Sequence, residues 1–138
     1  MYSNTRRQFI ADAGKTSVAT GLGIFTTNTE THMSSMKGFI HHVYFWLKNP
    51  GNQQDTQKLI KGLQGMGKIK TIKEFHIGRP ADTKRDVIDS SYAVSWMLVF
   101  KNKDEQEKYQ TDPIHLKFIE DCKDLWSKVV VYDSVNAV

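Results

Sequence analysis

The order of the periodic segments predicts an α+β domain of β-α-β-β-α-β type, the ferredoxin-like arrangement of a four-stranded antiparallel sheet with helices on one face. Three observations carry that reading. Four runs, at residues 39–47, 72–77, 91–100 and 128–135, are rich in β-branched and aromatic residues. Two stretches between them place apolar residues at helical spacing. The first and third runs are apolar at both parities, so the sheet needs cover on both faces while one chain has helices for only one.

Residues 1–36 stand apart as a leader, and the domain is expected over residues 37–138. The leader holds Thr5-Arg6-Arg7-Gln8-Phe9-Ile10, a small-residue stretch from Ala11 to Phe25, and a Thr/Asn-rich run. That pattern resembles a twin-arginine signal peptide, which implies an exported, periplasmic protein. A disordered leader is the alternative reading of the segment, and translation from Met33 or Met36 would make the protein cytoplasmic.

Within the domain, Phe39 to Leu47 reads as a strand covered on both faces, ended by the turn Asn49-Pro50-Gly51-Asn52. Gln53 to Gln64 carries Leu59, Ile60 and Leu63 on one helical face, and Gly62, Gly65 and Gly67 are expected to end that helix. Ile72 to Ile77 is a short strand. A charged loop runs from Gly78-Arg79-Pro80 to Asp89, and a long strand from Ser91 to Phe100. Asp104 to Gln110 is a polar helix, and Asp112-Pro113 caps and starts the next. There His115, Phe118, Ile119, Cys122, Leu125 and Trp126 form one stripe expected to pack on the sheet, before a closing strand from Lys128 to Val135.

Composition removes several functions. Cys122 is the sole cysteine, so one chain can build neither a disulfide, a thiolate zinc site nor a redox pair. No apolar run approaches the ~20 residues of a membrane span. The net charge of +4 falls to +3 without Arg6, Arg7, Lys15, Asp12 and Glu30, too mild a basicity to argue for nucleic acid. The stretch from Gly62 to Lys68 mimics a phosphate loop, but Ile69 stands where a hydroxyl should hold magnesium, and the glycines follow a helix instead of opening one. An RNA-stacking sheet would use Tyr44, Trp46 or Trp96, yet the third strand lacks the Lys/Arg-Gly-aromatic pattern, and its aromatics suit a dimer face better. His41 and His42 point to opposite faces of their strand, and His76 adds to one of them without a carboxylate. No metal and no cofactor is expected; a homodimer and a small-molecule ligand are.

Ile40-His41-His42-Val43-Tyr44-Phe45-Trp46-Leu47-Lys48, Gly78-Arg79-Pro80, Asp89-Ser90-Ser91-Tyr92-Ala93, Tyr109-Gln110-Thr111-Asp112-Pro113-Ile114-His115 and Val131-Tyr132-Asp133 together resemble the stress-responsive dimeric α/β-barrel family. The resemblance implies a homodimer in which two sheets face each other as a barrel, with a cleft between sheet and helices in each protomer. It implies no single activity. Polyketide-cyclase members use a Tyr and a His for acid/base chemistry, and those positions match Tyr109 and His115 here, with His42 matched to a first-strand histidine. A third-strand histidine of those members falls at Val94, so that part of their pocket is absent.

His115, near neutral pKa, suits proton abstraction beside a carbonyl, and Tyr109 could orient or polarise the substrate oxygen. The six-residue spacing across Pro113 lets both line one cleft. Equally, His115 could hydrogen-bond a backbone carbonyl on a packed face while Tyr109 fills the core with its hydroxyl at the surface. His42, Tyr44 and Trp96 are the expected substrate-binding side chains. The expected function is binding of a small apolar or carbonyl-containing molecule; the alternatives are an acid/base lyase, cyclase or isomerase, or a non-catalytic structural stress protein.

Overall fold

The computed structural model of the protein describes residues 37–137, and the twin-arginine reading of residues 1–36 lies outside the described residues. The strands are β1 (Phe39–Leu47), β2 (Ile72–Gly78), β3 (Val94–Phe100) and β4 (Trp126–Val135). The helices are α1 (Gln53–Met66), α2 (Lys103–Gln110) and α3 (Pro113–Cys122), with a 3₁₀ turn at Lys123–Leu125. The sheet order is β2-β3-β1-β4 and every pairing is antiparallel, which is the ferredoxin-like topology.

Each helix starts where a short polar side chain takes over an orphan backbone N–H. Asn52 accepts from the Asp55 amide, Asn102 from Glu105 and Asp112 from Ile114, and Pro113 occupies the first turn of α3.

The parity of β1 decides the layers. Phe39, His41, Val43, Phe45 and Leu47 are buried on the helix side, while Ile40, His42, Tyr44 and Trp46 are half-buried on the other face. On the helix side Leu59, Leu63 and Met66 of α1, Tyr109 of α2 and Phe118 and Cys122 of α3 pack against Val43, Phe45, Trp96, Leu98 and Phe100. Trp96 sits opposite Val43 in the register and shares its parity, so it lies in this core at 1% exposure and not on the face expected to dimerise.

Three boundaries differ from expectation. Helix α1 runs past Gln64, through Gly62 and Gly65 to Met66, and of the three expected glycines only Gly67 ends it, as the cap. A Cβ on Gly62 would lie 2.9 Å from both Cys122 Sγ and the Phe118 ring, so at Gly62 the side chains of α3 approach α1 too closely for any larger residue. Strand β3 begins at Val94 rather than Ser91, although the Ala93 amide still donates to the Phe45 carbonyl. Leu125 and Trp126 were expected on the stripe of the last helix, but the 3₁₀ turn ends that helix and Trp126 opens β4. Its ring nevertheless packs on Phe45 and Phe118, at 5.1 and 5.9 Å between centroids.

Candidate active site

Where α2 hands over to α3, three rings from three elements meet above the helix side of β1. Tyr109, in the last turn of α2, is 1% exposed, and its ring lies 5.9 Å from that of His41 on β1 and 4.5 Å from that of His115 on α3. The Asp112-Pro113 break reorients the chain between Tyr109 and His115, so that the two residues converge although they belong to different helices.

Each histidine has one ring nitrogen committed. His41 Nδ1 is 2.6 Å from Asp133 Oδ1, and since a carboxylate only accepts, Nδ1–H donates and Nε2 keeps the lone pair in the neutral ring. His115 Nδ1 donates to the Gln110 carbonyl at 3.1 Å, with the same consequence for its Nε2. Partial burial lowers the pKa of His115, against the opposing pull of the Gln110 hydrogen bond. The neutral, proton-accepting ring is therefore favoured at neutral pH. The backbone hydrogen bond anticipated for a packed His115 is present, and it also selects the tautomer a base would need.

Tyr109 is the opposite kind of group. Its hydroxyl accepts a 3.3 Å hydrogen bond from Trp96 Nε1 and lies 3.8 Å from Met66 Sδ, in the core and not at the surface. Burial pushes its pKa up to about 12, so at physiological pH it holds its proton and can donate but not abstract. A thioether is a weak acceptor, which leaves that proton poorly used in the unliganded chain.

The structure thus brings Tyr109 and His115 together and places Trp96 behind them as the hydroxyl's partner. It does not bring His42 and Tyr44 there. Both lie on the far face of the sheet, where the His42 and Tyr44 rings stack at 4.3 Å and Tyr44 Oη is 3.1 Å from His42 Nδ1. The residue that takes the inward place is His41, one position earlier, because Val43, Phe45 and Leu47 share its parity. His41 and its partner Asp133 were missed as site residues. Alternation required one of the two histidines to face the helices; only the register with β3 and β4 shows which. His76 and His42 flank Met97 on the far face, and among the described residues no group of three metal-ligating side chains forms.

The comparisons place the chain in a family. The family model described as the stress responsive A/B barrel domain matches residues 39–136. Among solved structures, a Dabb family protein of ferredoxin-like fold from Mesorhizobium loti is 22% identical, with a TM-score of 0.60 over 74% of this chain and 100% of its own. A dimeric ferredoxin-like protein from Thermobifida fusca is 14% identical, with a TM-score of 0.59 over 75% of this chain and 96% of its own. The hydroxynitrile lyase of Passiflora edulis is 18% identical, with a TM-score of 0.60 over 75% and 98%. At those identities the likeness is one of fold. No curated protein matches the sequence. With the family model covering all four strands and three helices, the chain belongs to the stress-responsive A/B barrel domain family.

Proposed function

We propose that the domain binds a small carbonyl-containing molecule at His41, Tyr109 and His115, and that the two imidazoles exchange protons with it. One observation carries this reading: two histidines from different elements flank one tyrosine, each with Nδ1 tied down by a hydrogen bond, which in the neutral ring leaves Nε2 as the acceptor. A base beside a carbonyl removes an α-proton, and a phenol donor stabilises the charge that develops on the oxygen. Those lyase, cyclase and isomerase steps that pass through an enolate begin with that event. A hydroxynitrile lyase of the same fold shows that such a scaffold can carry a lyase, while the assignment here rests on the residues.

The test is α-proton exchange in D₂O, followed by NMR, over a panel of methyl ketones, arylacetaldehydes and β-keto thioesters. The wild-type chain is expected to accelerate exchange for at least one member, with His115→Gln and His41→Gln each lowering it by about 10²-fold or more. No exchange across the panel, or exchange that survives both substitutions, would overturn the reading.

We also propose a homodimer through the far face of the sheet, where Ile40, Trp46, Met97 and Tyr132 stand without helix cover. Tyr132 is 65% exposed, unusual for an aromatic residue on a sheet face. The Thermobifida fusca protein of this fold is dimeric. Light scattering should give twice the chain mass, and Met97→Glu, which sets a charge in the middle of that face, should halve it.

A further inference from the structure

One end of the sheet is strongly basic. Strands β1 and β2 start there and β3 and β4 finish there, since Phe39 pairs with Phe100 and Val135, and Ile72 with Phe100. A concavity of about 500 Å³ opens at this end, lined by Lys37, Lys73, Lys101, Asn102 and Lys103 around a floor of Gly38, Phe39 and Val135. The turn into β2 adds Lys68 and Lys70, both exposed. Phe39 is one of the inward residues of β1, so the concavity adjoins the helix side of the sheet, away from the face proposed for the dimer.

The polar side chains of the lining are donors. Among the described residues Lys37, Lys73 and Lys101 form no ion pair, Lys103 pairs only with Glu107, at 3.3 Å, and no acidic side chain lines the concavity. Glu105, in the first turn of α2, is occupied by Lys108 at 2.6 Å. Asn102 Oδ1 accepts from the Glu105 amide at 3.0 Å, which caps α2 and leaves the Asn102 Nδ2 hydrogens as donors. Asn136 Oδ1 accepts from the Gly38 amide at 2.8 Å and ties the end of β4 to the start of β1. Gly38 keeps the floor low: its φ is +150°, and a Cβ there would collide with the Phe100 carbonyl oxygen.

Like charges gathered without a counter-charge repel one another, and a bound anion relieves that repulsion. The donor set selects the kind of anion. An ammonium is a compact, strongly hydrated point charge, whereas the planar fork that grips a carboxylate through two parallel bonds belongs to arginine, and no arginine lines this concavity. Several ammoniums and one amide donor around a hollow suit a tetrahedral oxyanion that carries more than one charge.

We propose that Lys37, Lys73, Lys101, Lys103 and Asn102 form a binding site for the phosphate groups of a soluble phosphate ester. The site is separate from His41, Tyr109 and His115, and it stands whether or not those residues exchange protons.

The experiment is a calorimetric and NMR titration of the full chain with sodium pyrophosphate, and in parallel with malonate and with phosphatidylglycerol vesicles, at a constant ionic strength of about 0.15 M so that distant charges are screened. Pyrophosphate should bind saturably at one site per chain and move the amide resonances of residues 37–39 and 101–103, and malonate, a dianion of planar carboxylates, should bind about ten-fold more weakly. Lys37→Gln and Lys101→Gln should each weaken pyrophosphate binding by about three- to five-fold, the scale of an exposed charge pair. Both side chains are exposed, so the variants keep the fold. Lys58→Gln combined with Lys61→Gln removes two charges from the exposed face of α1 and should leave binding unchanged. An equal loss in that double variant would reduce the effect to net charge and overturn the proposal, as would malonate binding as tight as pyrophosphate or no saturable pyrophosphate binding. Attachment to the vesicles without pyrophosphate binding would assign the lysines to a lipid surface and overturn it too.

Discussion

Replacing Tyr109 with Phe tests the core of the candidate site without adding bulk. The substitution removes one oxygen and leaves Trp96 Nε1–H in place, in a position where Trp96 and Tyr109 are each 1% exposed. No water reaches such a donor readily, so it carries the penalty of a buried unsatisfied group, about 1–3 kcal/mol. The bond lost is long, at 3.3 Å, and the sulfur contact at 3.8 Å is weak, so the expected cost is in the lower half of that range, about 1–2 kcal/mol. For a domain near a hundred residues this lowers Tm by roughly 4–8 °C per kcal/mol. The assay is urea unfolding of wild type, Tyr109→Phe, Trp96→Phe and the double variant. The double variant should cost less than the two singles together by about 1 kcal/mol, since removing both partners leaves no orphan donor. A Tyr109→Phe variant within about 0.3 kcal/mol of wild type, or singles that simply add, would refute the argument.

Three further outcomes follow from the same structure. Gly62→Ala should destabilise despite the ~1 kcal/mol gain in helix propensity, because its Cβ meets buried Cys122 and Phe118 at 2.9 Å, whereas Gly65→Ala, with nothing within 4 Å, should stabilise; chemical denaturation separates the two. Burial lowers the pKa of both His115 and His42, so the unfolded chain binds more protons than the folded one just below the free-histidine value of ~6.5. Stability is therefore full above that pH and falls as pH drops through it, and urea midpoints of His115→Gln should show a shallower fall over ~pH 7 to 5. For the leader, we propose export, and Arg6→Lys with Arg7→Lys in a full-length fusion should abolish periplasmic delivery, as read by cell fractionation.

Much of the fold was legible because its signals are local. The cap at Asp112, the proline at 113 and the two-sided apolar run of β1 each act within a few residues, and each appears where expected. The misread boundaries are those set by distant partners. The extent of α1 depends on Phe118 and Cys122 meeting Gly62 from another helix, and a glycine that permits close packing looks in sequence like one that ends a helix. Trp126 continues the periodicity of Phe118 and Cys122, and it still packs on Phe118 after the chain has turned from 3₁₀ turn to strand.

The same division runs through the candidate site. Residue types and spacing alone determined that Tyr109 and His115 could face one cleft, and that His41 and His42 must part to opposite sides of the sheet. Which of the two histidines joins the tyrosine is a matter of register: pairing of β1 with β3 and β4 sets His41 against Leu98 and Asp133 and turns it toward the helices, while His42 meets Met97 and Tyr132 on the far face. A shift of one residue would exchange them at no cost to local propensity, since both parities of β1 are apolar. Tertiary contacts select between the two: Tyr109 of α2 packs edge-on against the ring of His41, and Asp133 on the neighbouring strand accepts from its Nδ1.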